Sequence, residues 1–231
     1  VTAALLTSPA RQNRQALSRI GWSLATFLSA GVALVSYRYL AHVGPVAPTI
    51  ATNRFGPWIV VHVAGAATAL LLATPQFSGV LRQRSPTTHR MIGRIYMVGC
   101  LVGGAGGLVL AAGSSAGLFA QAGFAAVGSL WIYTTLQGWA TVRSRRFAEH
   151  RRWMFRSFVL TFAAVTLRIY LPILIALGFD FQGAYRIIAW LCWVPNLLLV
   201  EVYLRHSSAT AAGDRRLASS DRAGSRKELG A

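Results

Sequence analysis

Histidine and arginine are the residues of this 231-residue chain best suited to chemistry, and their spacing is the first clue to its kind. His89 is followed directly by Arg90, and His150 by Arg151. An imidazole beside a guanidinium suits an anionic or electron-rich group: a lipid phosphate, a quinone, or a haem whose iron takes paired imidazoles and whose propionates take arginine. His62 stands alone in an apolar run, with Gly65 and Ala66 at i+3 and i+4 on its helical face leaving room for a close partner. It reads either as a core histidine hydrogen-bonded to a neighbouring helix or as a contact to metal, haem or quinone. His42 and His206 fall in a connection and at the start of a polar tail, where neither is compelling. Arg168 lies near the middle of another apolar run, where an arginine facing lipid costs at least about 3 kcal/mol. None of the six acidic residues is placed to neutralise it. It must face the interior and use backbone carbonyls, Tyr170, water or an anionic ligand. HExxH, GxSxG, CxxC and paired carboxylates are absent, so hydrolase and zinc-enzyme readings lack residues and an enzymatic role stays open. Cys100 and Cys192 both fall in apolar runs, which speaks against a metal or disulfide role.

The elements that must position these residues follow from composition. The chain is 54% hydrophobic and 13% charged, against about 25% charged in soluble domains. Its net charge of +17 would suggest nucleic acid in a soluble protein. Here the arginines lie between apolar runs, so the partner is the lipid bilayer and not nucleic acid. Six segments, near 21–40, 57–76, 91–112, 117–140, 155–178 and 184–204, approach the roughly 20 residues that a span requires. The runs are continuous rather than alternating, which disfavours an outer-membrane barrel. The expected fold is all-α: a polytopic membrane protein of six transmembrane helices over 21–206. A cytoplasmic arm (1–20) precedes it, and a polar tail (207–231), too poor in apolar residues to bury a core, reads as disordered. The first run follows Arg11, Arg14 and Arg19 as a signal peptide would. However, no small-residue cleavage site closes it, and Tyr37-Arg38-Tyr39 reads as an interfacial anchor, so it counts as a span.

Charge alternates with each crossing. The arm, the second connection (Arg82, Arg84, Arg90, Arg94) and the fourth (Arg143, Arg145, Arg146, Arg151, Arg152, Arg156) are basic, whereas the first, third and fifth are nearly free of basic residues. The positive-inside rule then puts both termini in the cytoplasm. Sliding the chain by 61 residues lays Gln76 on Gln137, Arg82 on Arg143, Arg84 on Arg145, His89 on His150 and Arg90 on Arg151. This predicts a parallel repeat of two helical hairpins, spans two–three and four–five, about a pseudo-two-fold axis along the membrane normal. The two His-Arg pairs would face each other at the cytoplasmic mouth. Each would sit at a helix start, where free N–H groups favour an anion. Spans one and six would pack outside. Gly99, Gly103, Gly104, Gly106 and Gly107 give span three small-residue faces for close helix contact.

The stretches HRRWMFRSFVLTFAAVTLRIYLP (150–172), THRMIGRIY (88–96) and ATPQF (73–77) resemble the bacterial predicted membrane protein family called domain of unknown function 2306. The likeness runs from about His62 to Pro172. It implies a multi-pass protein of the bacterial cytoplasmic (inner) membrane and brings no established activity.

Three functional readings follow. The leading one is a bundle that binds a small anionic or amphipathic ligand, a lipid or a quinone, through His62, Gln76, His89, Arg90, Gln137, His150, Arg151 and Arg168. The second is a b-type haem electron-transfer protein with His62, His89 and His150 as candidate axial ligands. The third is a non-catalytic accessory subunit that packs on a membrane-protein partner, or on its own copies, through the glycine faces.

Overall fold

A computed structural model describes residues 9–207. The disordered-tail reading therefore concerns residues outside the described range, apart from Ser207, which ends the last helix. The regular elements among the described residues are all helical. They are α1 (Pro9–Ser36), α2 (Pro48–Ala51), α3 (Ile59–Ala73), α4 (Gly79–Arg84), α5 (Pro86–Ala112), α6 (Leu118–Arg143), α7 (Phe147–Thr161), α8 (Ala163–Ala176), α9 (Phe181–Leu191) and α10 (194–207), with short 3-10 turns at Tyr37–Tyr39, Gly56–Trp58 and Thr74–Phe77.

Five stretches are long and apolar enough to cross a membrane: Leu17–Tyr39, Gly56–Phe77, Pro86–Ala112, Phe147–Ala176 and Phe181–Ser207. Helix α6, with 26 residues, matches them in length but has no stretch as continuously apolar as theirs. Its position explains the tolerance: α6 packs against α5, α7 and α9, and it buries Thr134, Thr135 and Thr141. A helix enclosed by other helices can carry hydroxyls, which close on backbone carbonyls one turn back. Thr135 Oγ1 donates to the Trp131 carbonyl at 2.8 Å and Thr141 Oγ1 to that of Gln137 at 2.7 Å. Two helices begin earlier than their apolar runs. α5 starts at Pro86, favoured at a first helical position, and α7 at Phe147, so both His-Arg pairs lie in opening turns.

Glycine sets the tightest contact, between α3 and α5. A Cβ on Gly65 would collide with the Gly103 backbone, and one on Gly103 would lie 2.6 Å from the Ala66 nitrogen. Gly106 meets the His62 backbone in the same way. On another face of α5, Gly104 receives Ile132 of α6. Helix α1 packs on α3 and α8, and α9 on α6 and α8. Leu24, Phe27 and Leu34 of α1, Val98 and Val102 of α5, and Leu198, Leu199 and Val202 of α10 are large, apolar and exposed. Such an outward apolar surface suits hydrocarbon rather than water. At one end of the bundle Arg82, Arg84, Arg90, Arg94, Arg143, Arg145, Arg146, Arg151 and Arg152 are exposed; this is the basic end.

Candidate functional site

The structure divides seven of the eight sequence-predicted residues between two cavities, one at each end of the bundle. At the basic end, a cavity of about 1340 Å³ is bordered by Gln76, His89, Arg90, His150 and Arg151, and also by Arg82, Arg94 and Arg143. Among the described residues, no carboxylate borders it. Its deeper wall is aromatic. Trp22 stacks on Phe77 with ring centroids 5.1 Å apart, and Phe77 lies 4.7 Å from Phe155 and 5.2 Å from Phe158. The Arg151 guanidinium lies 5.8 Å from the Phe155 ring centroid. One cavity thus joins a cationic rim to a flat apolar interior.

The two histidines of this cavity occupy matching helical positions but differ in their bonding. The backbone N–H of His89 donates to the Ser85 carbonyl at 3.0 Å, and that of His150 to the Arg146 carbonyl at 2.9 Å. His150 Nδ1 lies 2.8 Å from the Gly138 carbonyl. A carbonyl only accepts, so Nδ1 carries a proton, and in the neutral ring the lone pair is on Nε2. His89 Nδ1 is buried with no partner among the described residues, and so is Gln76 Nε2. Unsatisfied buried atoms of this kind are uncommon, and two of them border one cavity.

Gln137 borders neither cavity. The reason is local backbone. After Gln76 the chain leaves its 3-10 turn for extended Ser78, whereas Gln137 lies inside α6, which runs on to Arg143. Identical residues in register are therefore presented differently.

His62 and Arg168 border the second cavity, about 420 Å³, with Ser36, Arg38, Tyr39 and Asn53. His62 Nδ1 lies 2.7 Å from the Gly103 carbonyl. Gly103 is about 20 Å along α5 from His89 at 1.5 Å per residue, so His62 belongs to the opposite end. Arg168 Nη1 donates to the Ala164 carbonyl at 2.9 Å and Nη2 to the Ser36 hydroxyl at 2.8 Å. The carbonyl is one of the partners expected for it. Tyr170 is not among its hydrogen-bond partners.

Between the cavities lies a hydroxyl cluster that sequence reasoning missed. Tyr96, 1% exposed, places its hydroxyl 2.8 Å from Ser157 Oγ and 2.9 Å from Thr161 Oγ1. Thr135 Oγ1 lies 2.9 Å from Ser157 Oγ, and Trp131 Nε1 donates to Thr161 Oγ1 at 2.8 Å. The available signal was one-turn spacing: Trp131 with Thr135, and Ser157 with Thr161. Tyr96 and Ser157, the pair in contact, are 61 residues apart, and α5 and α7 start 61 residues apart.

Exposed apolar helices around polar end cavities define an integral membrane protein of the multi-helix class. Within that class the chain belongs to the family described as Predicted membrane protein (DUF2306), which it matches over residues 59–204. The match covers all eight sequence-predicted site residues and continues beyond Pro172 to the last helix. No curated protein and no solved structure matches the chain.

Proposed function

We propose that this protein binds an amphipathic molecule with an anionic or electron-rich head, a lipid or a quinone, in the basic-end cavity. The observation that carries this reading is the pair of unpartnered buried atoms, Gln76 Nε2 and His89 Nδ1, on the border of a cavity with an arginine rim and an aromatic wall. An unsatisfied buried polar atom costs about 1–3 kcal/mol, which a hydrogen bond to a ligand atom that accepts from Gln76 Nε2 would offset. Arg90 and Arg151 hold the head group, and Trp22, Phe77, Phe155 and Phe158 pack its apolar body. In this reading α6 is a sixth span and the hairpins α3–α5 and α6–α7 are repeats. Contact between Tyr96 and Ser157, equivalent residues under the 61-residue shift, supports a pseudo-two-fold axis between α5 and α7. The arginine-rich end faces the cytoplasm of a bacterial inner membrane.

The test is mass spectrometry of small molecules retained by protein purified in mild detergent. Wild type retains a specific lipid or quinone, and Gln76→Leu and His89→Ala each deplete it while the variants stay folded. Equal retention by all three would overturn the reading.

A b-type haem is the second reading. One observation favours it: His89 and His150 border the same cavity, and the Gly138 contact leaves His150 Nε2 as a ligating nitrogen. Visible absorption decides it, because no Soret band after haem-replete expression removes this reading.

A further inference from the structure

We propose that the Arg168 cavity is a separate site for a phosphate group. Two guanidinium groups, Arg38 and Arg168, border it, and among the described residues no carboxylate does. The acidic side chains described in the structure are committed elsewhere. Glu149 pairs with Arg146 at 3.0 Å and Glu201 with Arg156 at 2.5 Å. Asp180, next to the cavity-bordering Phe181, caps α9 by accepting from the Gln182 and Gly183 N–H groups at 3.1 and 3.2 Å. The charge of Arg168 therefore has no internal counter-ion among the described residues, although it lies within a membrane-spanning stretch. An intramembrane cation pairs with an opposite charge or with backbone carbonyls and marks a functional site by default. Arg168 has a carbonyl and a hydroxyl but is otherwise exposed, open to a ligand.

Arg168 directs two of a guanidinium's five N–H donors to Ala164 and Ser36. That anchorage fixes the plane of the fork. Asn53 Nδ2 is engaged with the Leu110 carbonyl at 2.8 Å, and Arg38 Nη1 with that of Pro45 at 2.6 Å, so this end of the bundle holds its polar groups in place. Two positive charges and a planar fork match a phosphate better than a single carboxylate. Ile59, Val63, Leu70 and Leu167 on the same border would accept an acyl chain. The phosphate can therefore belong to a lipid head group or be free. The site stands on residues distinct from those of the basic-end cavity.

Arginine-specific labelling with phenylglyoxal, read by peptide mass spectrometry, tests the proposal on delipidated wild-type protein in detergent. Inorganic phosphate and dioctanoyl phosphatidic acid are the two probes. Arg168 is expected to be labelled in their absence and protected about tenfold at a probe concentration of about ten times Kd. Protection by both probes assigns the site to the phosphate itself, and protection by the lipid alone assigns it to a head group. Protection by neither overturns the proposal. Arg168→Lys keeps the charge but loses the fork, and should weaken thermal stabilisation by the effective probe about tenfold in concentration. In the double variant Arg90→Gln/Arg151→Gln, which removes the basic-end head-group contacts, protection of Arg168 itself by the same probes should persist. The reverse pattern would also overturn the proposal, and it would leave the basic-end reading standing.

Discussion

His89 and His150 are equivalent in sequence register and unequal in bonding, which makes them the most informative pair to alter. His150→Ala removes the bond to the Gly138 carbonyl, and a net loss of about 1 kcal/mol follows. The carbonyl keeps a share of the single Thr141 hydroxyl proton, divided between Gly138 at 3.0 Å and Gln137 at 2.7 Å, so the loss does not grow to that of an orphaned acceptor. His89→Ala removes no side-chain hydrogen bond among the described residues, where Nδ1 has no partner. Thermal unfolding in detergent should thus fall for His150→Ala and barely move for His89→Ala in ligand-free protein. Ligand retention should fall in both, with the double variant far from additive, as for residues that share a partner. Equal destabilisation with additive retention would make them two unrelated interfacial histidines.

At the scale of elements, three devices hold the helices together, and each predicts a different sensitivity. The α3–α5 contact is backbone on backbone, so a side chain at Gly103 has nowhere to go. Gly103→Val should destabilise by at least about 3 kcal/mol, the upper range for overpacking. Gly31→Ala, where nothing lies within 4 Å of the added Cβ, should be neutral or raise stability by up to about 1 kcal/mol through helix propensity. The second device is the hydroxyl cluster. Tyr96→Phe leaves Ser157 and Thr161 without their shared phenol, costing about 1–3 kcal/mol. Unfolding midpoints of the three variants in one detergent check both expectations. A further tie, the bidentate pair of Arg156 with Glu201 at 2.5 and 2.9 Å, joins α7 to α10. Reversing it as Arg156→Glu/Glu201→Arg should restore stability lost by Glu201→Gln.

For the whole molecule, the testable quantity is topology. Reporters placed after residue 205 and within 143–146 should report the same side, the cytoplasm, and a reporter within 113–117 the opposite side. α6 connects these last two positions, so opposite signals require it to cross the bilayer. A shared signal would make α6 a helix that does not cross. It would also separate the two hairpins in topology and remove the basis for treating them as repeats.

Much of this architecture was legible along the chain, because a bilayer imposes a one-dimensional rule. Long apolar runs must be helices when no water can satisfy their backbone groups. The glycines of α5 announced a close neighbour, since only they permit contact between backbones. The grouping of Gln76, His89, Arg90, His150 and Arg151 was also readable, because antiparallel helices return every second connection to the same end. The exclusion of Gln137 was not, because it depends on a 3-10 turn in one hairpin and an unbroken helix in the other. Nor was the separation of His62 and Arg168 into a second cavity: depth along a helix is counted from its ends, and α5 and α7 start before their apolar runs. Above all, hydroxyls scattered through apolar runs look unremarkable in sequence. Only the packing of α5, α6 and α7 brings Tyr96, Thr135, Ser157 and Thr161 within hydrogen-bond distance, because helix rotation and crossing are set by side chains on all the neighbours at once.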